Sequence, residues 1–184
     1  MENRNHKDSL FIDLFCKDKE GKQNFISLYN ALHNTNLDLA TTTVQEVNIE
    51  NVLYMALSND IAMLVDNRLV VLVEHQSTIN ENMPLRLLEY VSRIYEQLIP
   101  SEDRYEKKMI KIPYPEFFVF YNGTEDYPVE TELRLSDAFI FPDEKYNVKS
   151  NDLTIEIKVK IININSDKQS PILKQCKKLE EYSL

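Results

Sequence analysis

Glycine is almost missing from this 184-residue chain, which has only Gly21 and Gly123. Few turns can rely on it for a positive φ, so Asn and Asp must serve there. Cysteine is equally scarce. Cys16 and Cys176 make neither a disulfide framework nor a zinc motif, and read as reduced, helix-borne thiols. No apolar run approaches the ~20 residues of a membrane span. The opening Met1-Glu2-Asn3-Arg4-Asn5-His6-Lys7-Asp8 has no hydrophobic signal segment, so a cytoplasmic protein with no membrane partner is expected. Positive charge is also in deficit: 21 Lys and Arg against 30 Asp and Glu leave a net −9. That weighs against a broad nucleic-acid surface, because phosphate binding relies on Lys and Arg. It does not exclude a local one. The bases cluster at Arg104, Lys107, Lys108 and Lys111, and again at Lys168, Lys174, Lys177 and Lys178, for which a solvated face is the ordinary reading. There is no Ser-His-Asp arrangement, Gly-rich phosphate loop, Cys/His metal pattern or internal repeat.

What remains is an ordinary globular composition, 43% hydrophobic and 28% charged, in a length that suits one domain over 1–184. Such a chain can bury roughly 70% of its unfolded surface. Residues 7–19 and about 22–34 read as helices, with Leu10, Phe11, Leu14 and Phe15, then Phe25, Leu28, Tyr29 and Leu32, on their inner faces. They form a helical N-terminal part, 1–40. A core of about 41–122 follows. It starts with a strand around Val47–Leu53 and an apolar hairpin at about 60–65 and 69–76. A helix over 84–99 comes next, with Pro84 in its first turn and Leu85, Leu88, Val91, Tyr95 and Leu98 as its buried face. Glu116–Tyr121 is a strongly apolar strand closed by Asn122-Gly123. Residues 124–150 read as an irregular excursion, and a strand at Leu153–Ile164 and a helix at 170–182 complete a C-terminal part, 151–184. The order ααβββαβ(loop)βα indicates an α/β fold, a mixed β-sheet flanked by helices.

Chemistry concentrates in Asn59–Ser77. One apolar run opens on Asp60, and the next closes on Glu74-His75-Gln76. Leu69–Val73 is apolar on both faces, which marks a central strand. Alternation puts Glu74 and Gln76 on one face and His75 on the other. A two-residue turn, Asp66-Asn67, would set Asp60 opposite Val73. A turn of three or five residues, or a bulge, would set it opposite Glu74, with Cβ atoms ~5 Å apart. Two carboxylates so placed suit Mg²⁺ or Mn²⁺. Gln76, neutral at every working pH, cannot be a general base but can orient a water or a phosphate oxygen. A hairpin whose ends are merely solvated is the bland alternative.

Asp60 followed by Glu74-x-Gln76 resembles the PD-(D/E)xK nuclease pattern, with Gln in the lysine position. The wider text is more specific. Lys7-Asp8-Ser9-Leu10-Phe11, Ser27–Leu32, Asn59-Asp60-Ile61, Glu74-His75-Gln76-Ser77, Asn82-Met83-Pro84-Leu85-Arg86, Phe120-Tyr121-Asn122-Gly123 and Leu135–Phe139 resemble the recombination-promoting nuclease/putative transposase family from Lys7 to about Tyr182. The resemblance implies a metal-dependent DNA endonuclease with a restriction-endonuclease-like fold, linked to mobile elements and DNA exchange. By that analogy Asp60 and Glu74 hold Mg²⁺ (or Mn²⁺), the His75 backbone carbonyl is a further ligand, and Gln76 takes the catalytic lysine position. DNA is the implied partner, and a homodimer is compatible with this reading. Gln76 removes a positive charge, so weakened or lost activity is one expectation, and a catalytically inactive interaction or regulatory module is the alternative. Family members usually continue beyond the last predicted helix, so any dimerisation or DNA-targeting part there is expected to be missing.

Arg86, Tyr90 and Arg93 share one side of the 84–99 helix and can support the site or meet a phosphate, with an exposed face as the ordinary reading. Asp8 is either a further acid or a helix cap. Glu46 and Glu50 are weaker candidates. His75 reads as a core or supporting histidine, and His6 and His33 as exposed ones.

Overall fold

A computed structural model of the chain describes residues 10–47, 60–76, 78, 80–142, 145, 153–168 and 170–183, and at 73–76 the backbone only. Residues 10–15 are helical (α1), and α2 runs Asp18–His33. The strands are β1 Val44–Glu46, β2 Ile61–Val65 and β3 Arg68–Gln76. Helix α3, Met83–Leu98, leads to β4 Tyr114–Tyr121, β5 Glu130–Arg134 and β6 Lys158–Asn163. Two short helices close the chain, α4 Pro171–Gln175 and α5 Lys177–Ser183. The sheet order is β1-β2-β3-β4-β6-β5. β3, β4 and β6 are parallel neighbours, and the outer pairings β1/β2, β2/β3 and β5/β6 are antiparallel. This is a mixed α/β fold, a six-stranded sheet flanked by helices, consistent with a restriction-endonuclease-like core.

Strand alternation divides the core in two. Val70, Leu72, Phe118, Phe120 and Ile162 face the helices at the two ends of the chain, meeting Phe11, Phe15, Phe25, Leu28, Leu173 and Leu179. Leu69, Val71, Phe117, Val119, Tyr121 and Ile161 face α3, which supplies Leu87, Tyr90, Val91 and Ile94. β3 and β4 are therefore covered on both sides, as their unbroken apolar runs require. Proline in the first turn of α3 costs no hydrogen bond, and the helix stops at extended Ile99, the residue before Pro100.

Several boundaries differ from the sequence reading. The first helix breaks at Cys16-Lys17, before Glu20-Gly21, and Gly21 lies inside α2. It is needed there for closeness: a Cβ on Gly21 would lie 2.9 Å from the Cys16 carbonyl carbon. The first strand of the core is Val44–Glu46, and the Val47–Leu53 strand expected there, with Glu50, falls almost wholly outside the described residues. The excursion 124–150 contains edge strand β5 and a 3₁₀ turn, Leu135–Ala138. The last helix is split at Cys176. The inner face of α3 is rotated from the expected one. Leu85 is exposed, whereas Leu87, Tyr90 and Ile94 are buried.

Both cysteines are buried and unpaired with each other. Burial, with Glu46 nearby, pushes the Cys16 thiol up to about 12. Among the described residues no helix is long and apolar enough to cross a membrane.

Candidate active site at the end of the hairpin

The β2–β3 turn has two residues. Val65 pairs with Arg68, and Ile61 pairs with Leu72. Asp66 takes a left-handed φ of 51°, its Oδ1 accepts from the Thr43 N–H at 3.0 Å, and its own N–H donates to the Thr43 carbonyl. The odd-length turn that would have set Asp60 opposite Glu74 is thus absent. Continued one step, this register brings residue 60 across from residue 73. Nor does a bulge within the hairpin restore that opposition, since β2 and β3 pair without a shift from Ile61–Leu72 to Val65–Arg68; the irregularity in β3 lies further on, against β4. Val73 pairs with Val119 and Gln76 with Tyr121, so three steps along β3 match two along β4. One extra residue is accommodated within Glu74-His75-Gln76, at the strand end that lies next to Asp60. The side chains of Glu74, His75 and Gln76 are outside the described set, and Asp8 and His6 are outside it altogether.

Asp60 immediately precedes β2 and is half-buried, with Oδ2 closed off from solvent. Across from it lies Tyr90 of α3. Burial, then the Asp60 carboxylate, hold the Tyr90 phenol above its ordinary value, so the ring stays neutral at any working pH. Tyr90 is buried, Arg86 half-buried, and Arg93 exposed and paired with Glu96 at 3.0 Å. The expected common face of Arg86, Tyr90 and Arg93 therefore does not act as one unit. Arg86 lies in the first turn of α3. α3 starts at Met83, seven residues after β3 ends at Gln76, so its first turn sits at the Asp60 end of the sheet. The Arg86 guanidinium donates to the Met83 sulfur at 3.3 Å and meets no carboxylate among the described residues.

Carboxylate oxygens are the donors a hard divalent cation takes. Asp60 offers carboxylate oxygens, one of them withdrawn from water, and the adjoining strand end carries Glu74 in its sequence. Among the described residues there is no group of three His, Cys, Asp or Glu placed to hold an ion. Of the carboxylates expected at such a site, Asp60 is the one whose side chain is described.

A second charged cluster was not anticipated. His33, expected to be exposed, is tucked at the opposite end of β3, with Nε2 3.2 Å from Glu116 Oε2 and its ring 4.3 Å from that of Tyr29. Arg68 Nη1 lies 3.7 Å from Glu116 Oε1 and donates to the Tyr29 hydroxyl. A cavity of about 310 Å³, lined by Tyr29, Leu37, Asp66 and Arg68 among others, opens beside it. The one sequence signal was Glu116, a carboxylate opening an otherwise apolar strand.

No curated protein and no solved structure matches the chain. A family model described as "Putative transposase, YhgA-like" matches residues 5–174, nearly the whole length, and the chain belongs to that family.

Proposed function

We propose that the protein is a divalent-cation-dependent DNA endonuclease acting in transposition or recombination. The observation that carries this reading is the half-buried Asp60 carboxylate beside the bulged end of β3, where Glu74-His75-Gln76 lies, in a chain of a putative transposase family. Asp60 and Glu74 would hold Mg²⁺ or Mn²⁺, with the His75 carbonyl as a further ligand. When bound, such an ion lowers the pKa of water and neutralises charge on a phosphodiester. Tyr90 walls the site on the α3 side and, being neutral, adds no repulsion to an approaching phosphate. Gln76 can orient a water or a phosphate oxygen through its NH₂ group. Arg86 is the fixed cation of the site, in place of the lysine that Gln76 replaces.

A second reading, a nuclease-like interaction module without activity, is favoured by the neutral Gln76 and by the net charge of −9. Nicking of supercoiled plasmid with Mg²⁺ or Mn²⁺ separates the two. The parent chain is expected to nick, with Asp60→Ala and Glu74→Ala each reducing the rate at least ~100-fold. Activity surviving both substitutions removes the site assignment, and a parent inactive with either ion supports the interaction module.

A further inference from the structure

In a chain with this acidic balance, several basic side chains of the described structure are matched. Lys17, Arg93, Arg134, Lys160, Lys168, Lys177 and Lys178 each lie within ion-pair distance of a carboxylate. The connection from α3 to β4 gathers four that are not. Arg104, Lys107, Lys108 and Lys111 are all exposed, and none has a carboxylate partner among the described residues. Between them stand bare apolar groups: Tyr105 is 89% exposed, Met109 79% and, where β4 begins, Tyr114 67%. Large side chains this open normally lie against the body of a protein. The connection is anchored where it enters β4. The Tyr95 hydroxyl donates to the Pro113 carbonyl at 2.6 Å, and the Tyr114 N–H donates to the Asn67 carbonyl at 3.0 Å. A 3₁₀ turn, Asp103–Tyr105, carries Tyr105 itself.

We propose that this connection, residues 99–114, is a landing surface for single-stranded DNA. Unmatched cations gain by displacing counterions from phosphates. Exposed flat rings gain by stacking on bases, and only unpaired bases offer their faces. The interleaving of the two kinds of group along one stretch fits a strand and suits a duplex less well, since in a duplex the base faces are covered. Glu102, Asp103 and Glu106 share the segment, so the binding is modest and sensitive to salt. The surface is separate from the candidate active site. Tyr114 pairs with Arg68 at the start of β3, whereas Glu74–Gln76 ends that strand. Eight residues at ~3.3 Å each put the two about 26 Å apart. A strand held here is one displaced from, or leading to, the duplex at the other end of the sheet. The choice of DNA rests on the function proposed above.

Fluorescence anisotropy with a labelled 20-nucleotide oligo(dT), and with a duplex of equal length, tests this in EDTA, where cleavage does not enter the readout. Failure here and failure of nicking are therefore distinguishable. The parent is expected to bind the single strand more tightly than the duplex. Lys107→Ala/Lys108→Ala/Lys111→Ala should weaken binding at least tenfold and reduce the slope of log Kd against log salt by about 2, at ~0.7 per phosphate contact. Tyr105→Ala/Tyr114→Ala should weaken the single strand about tenfold or more and leave the duplex unchanged. These side chains are exposed, so the fold should survive, as circular dichroism would verify. The proposal is overturned if neither set changes oligo(dT) binding, or if the parent does not bind it. It is overturned equally if the tyrosine pair turns a self-associated parent into a monomer without altering oligo(dT) affinity, since the patch would then be a protein interface.

Discussion

Asp18, Asn34 and Asp66 carry the left-handed backbone angles among the described non-glycine residues, at φ of 60°, 52° and 51°. Their short polar side chains tolerate that region and hydrogen-bond locally. Asp18 Oδ1 accepts from the Glu20 N–H at 2.8 Å, and Asp66 holds Thr43. The scarcity of glycine made that substitution legible in advance. What Gly21 itself does was not, because its role depends on how closely a preceding turn approaches. Gly21→Ala would place a methyl 2.9 and 3.1 Å from backbone atoms of Cys16, which cannot swing aside. A loss of about 1–3 kcal/mol is expected from the denaturant midpoint. At the candidate site the residue-scale question is charge. Arg86→Ala should slow cleavage 10–100-fold while DNA Kd moves less than about threefold, as expected for a group acting mainly in the transition state. Gln76→Lys in that background should recover part of the rate in single-turnover assays. A change confined to Kd would make Arg86 a binding residue only.

Among the elements, long apolar segments were the most readable. β3, β4 and α3 lie within two residues of where their hydrophobic patterns put them, because each buries enough side chains to leave a periodic trace. β5 was not readable. Glu130–Arg134 is an edge strand held by backbone pairing and by ion pairs such as Lys160–Glu130 at 2.9 Å, with little apolar content to signal it. Register was the other gap. The turn length and the bulge are fixed by Asp66 and by pairing with β4, and neither is written in the hairpin alone. The segment after β5 is tied to the approach to β6 by Glu156. Its carboxylate accepts from the Ser136 N–H at 3.1 Å, the Ser136 hydroxyl at 2.8 Å and the Ile157 N–H at 3.1 Å. Burial alone would raise its pKa, but these bonds outweigh burial and lower it below its ordinary 4.5. With the folded-state value depressed, the stabilisation is complete above about 4.5 and is lost as pH falls through the folded value. Glu156→Gln should cost about 1 kcal/mol at neutral pH. Its difference from the parent should shrink in acid below pH 4, as followed by thermal unfolding. A difference constant from pH 7 to pH 3 would show that Glu156 stabilises as a shape and not as a charge.

Across the whole molecule the two ends of the sheet differ in chemistry. One gathers Asp60, the bulged end of β3 and the first turn of α3. The other gathers the His33–Glu116–Arg68 cluster and the basic, aromatic connection into β4. A parallel crossover from β3 through α3 to β4 imposes this separation, because the strand ends and the returning connection must lie at opposite edges. The candidate site was legible as a list of residues and only partly as geometry. The two-residue turn brings residue 60 across from Val73, next to the β3 terminus and not in direct opposition to Glu74.

The central claim is that Asp60 and Glu74 share one cation, and it can be measured without any cleavage. Mn²⁺ titration followed by electron paramagnetic resonance should show one site in the parent chain. Asp60→Ala and Glu74→Ala should each weaken it at least tenfold, with circular dichroism unchanged. Mn²⁺ binding that is identical in the parent and in both variants would contradict the account.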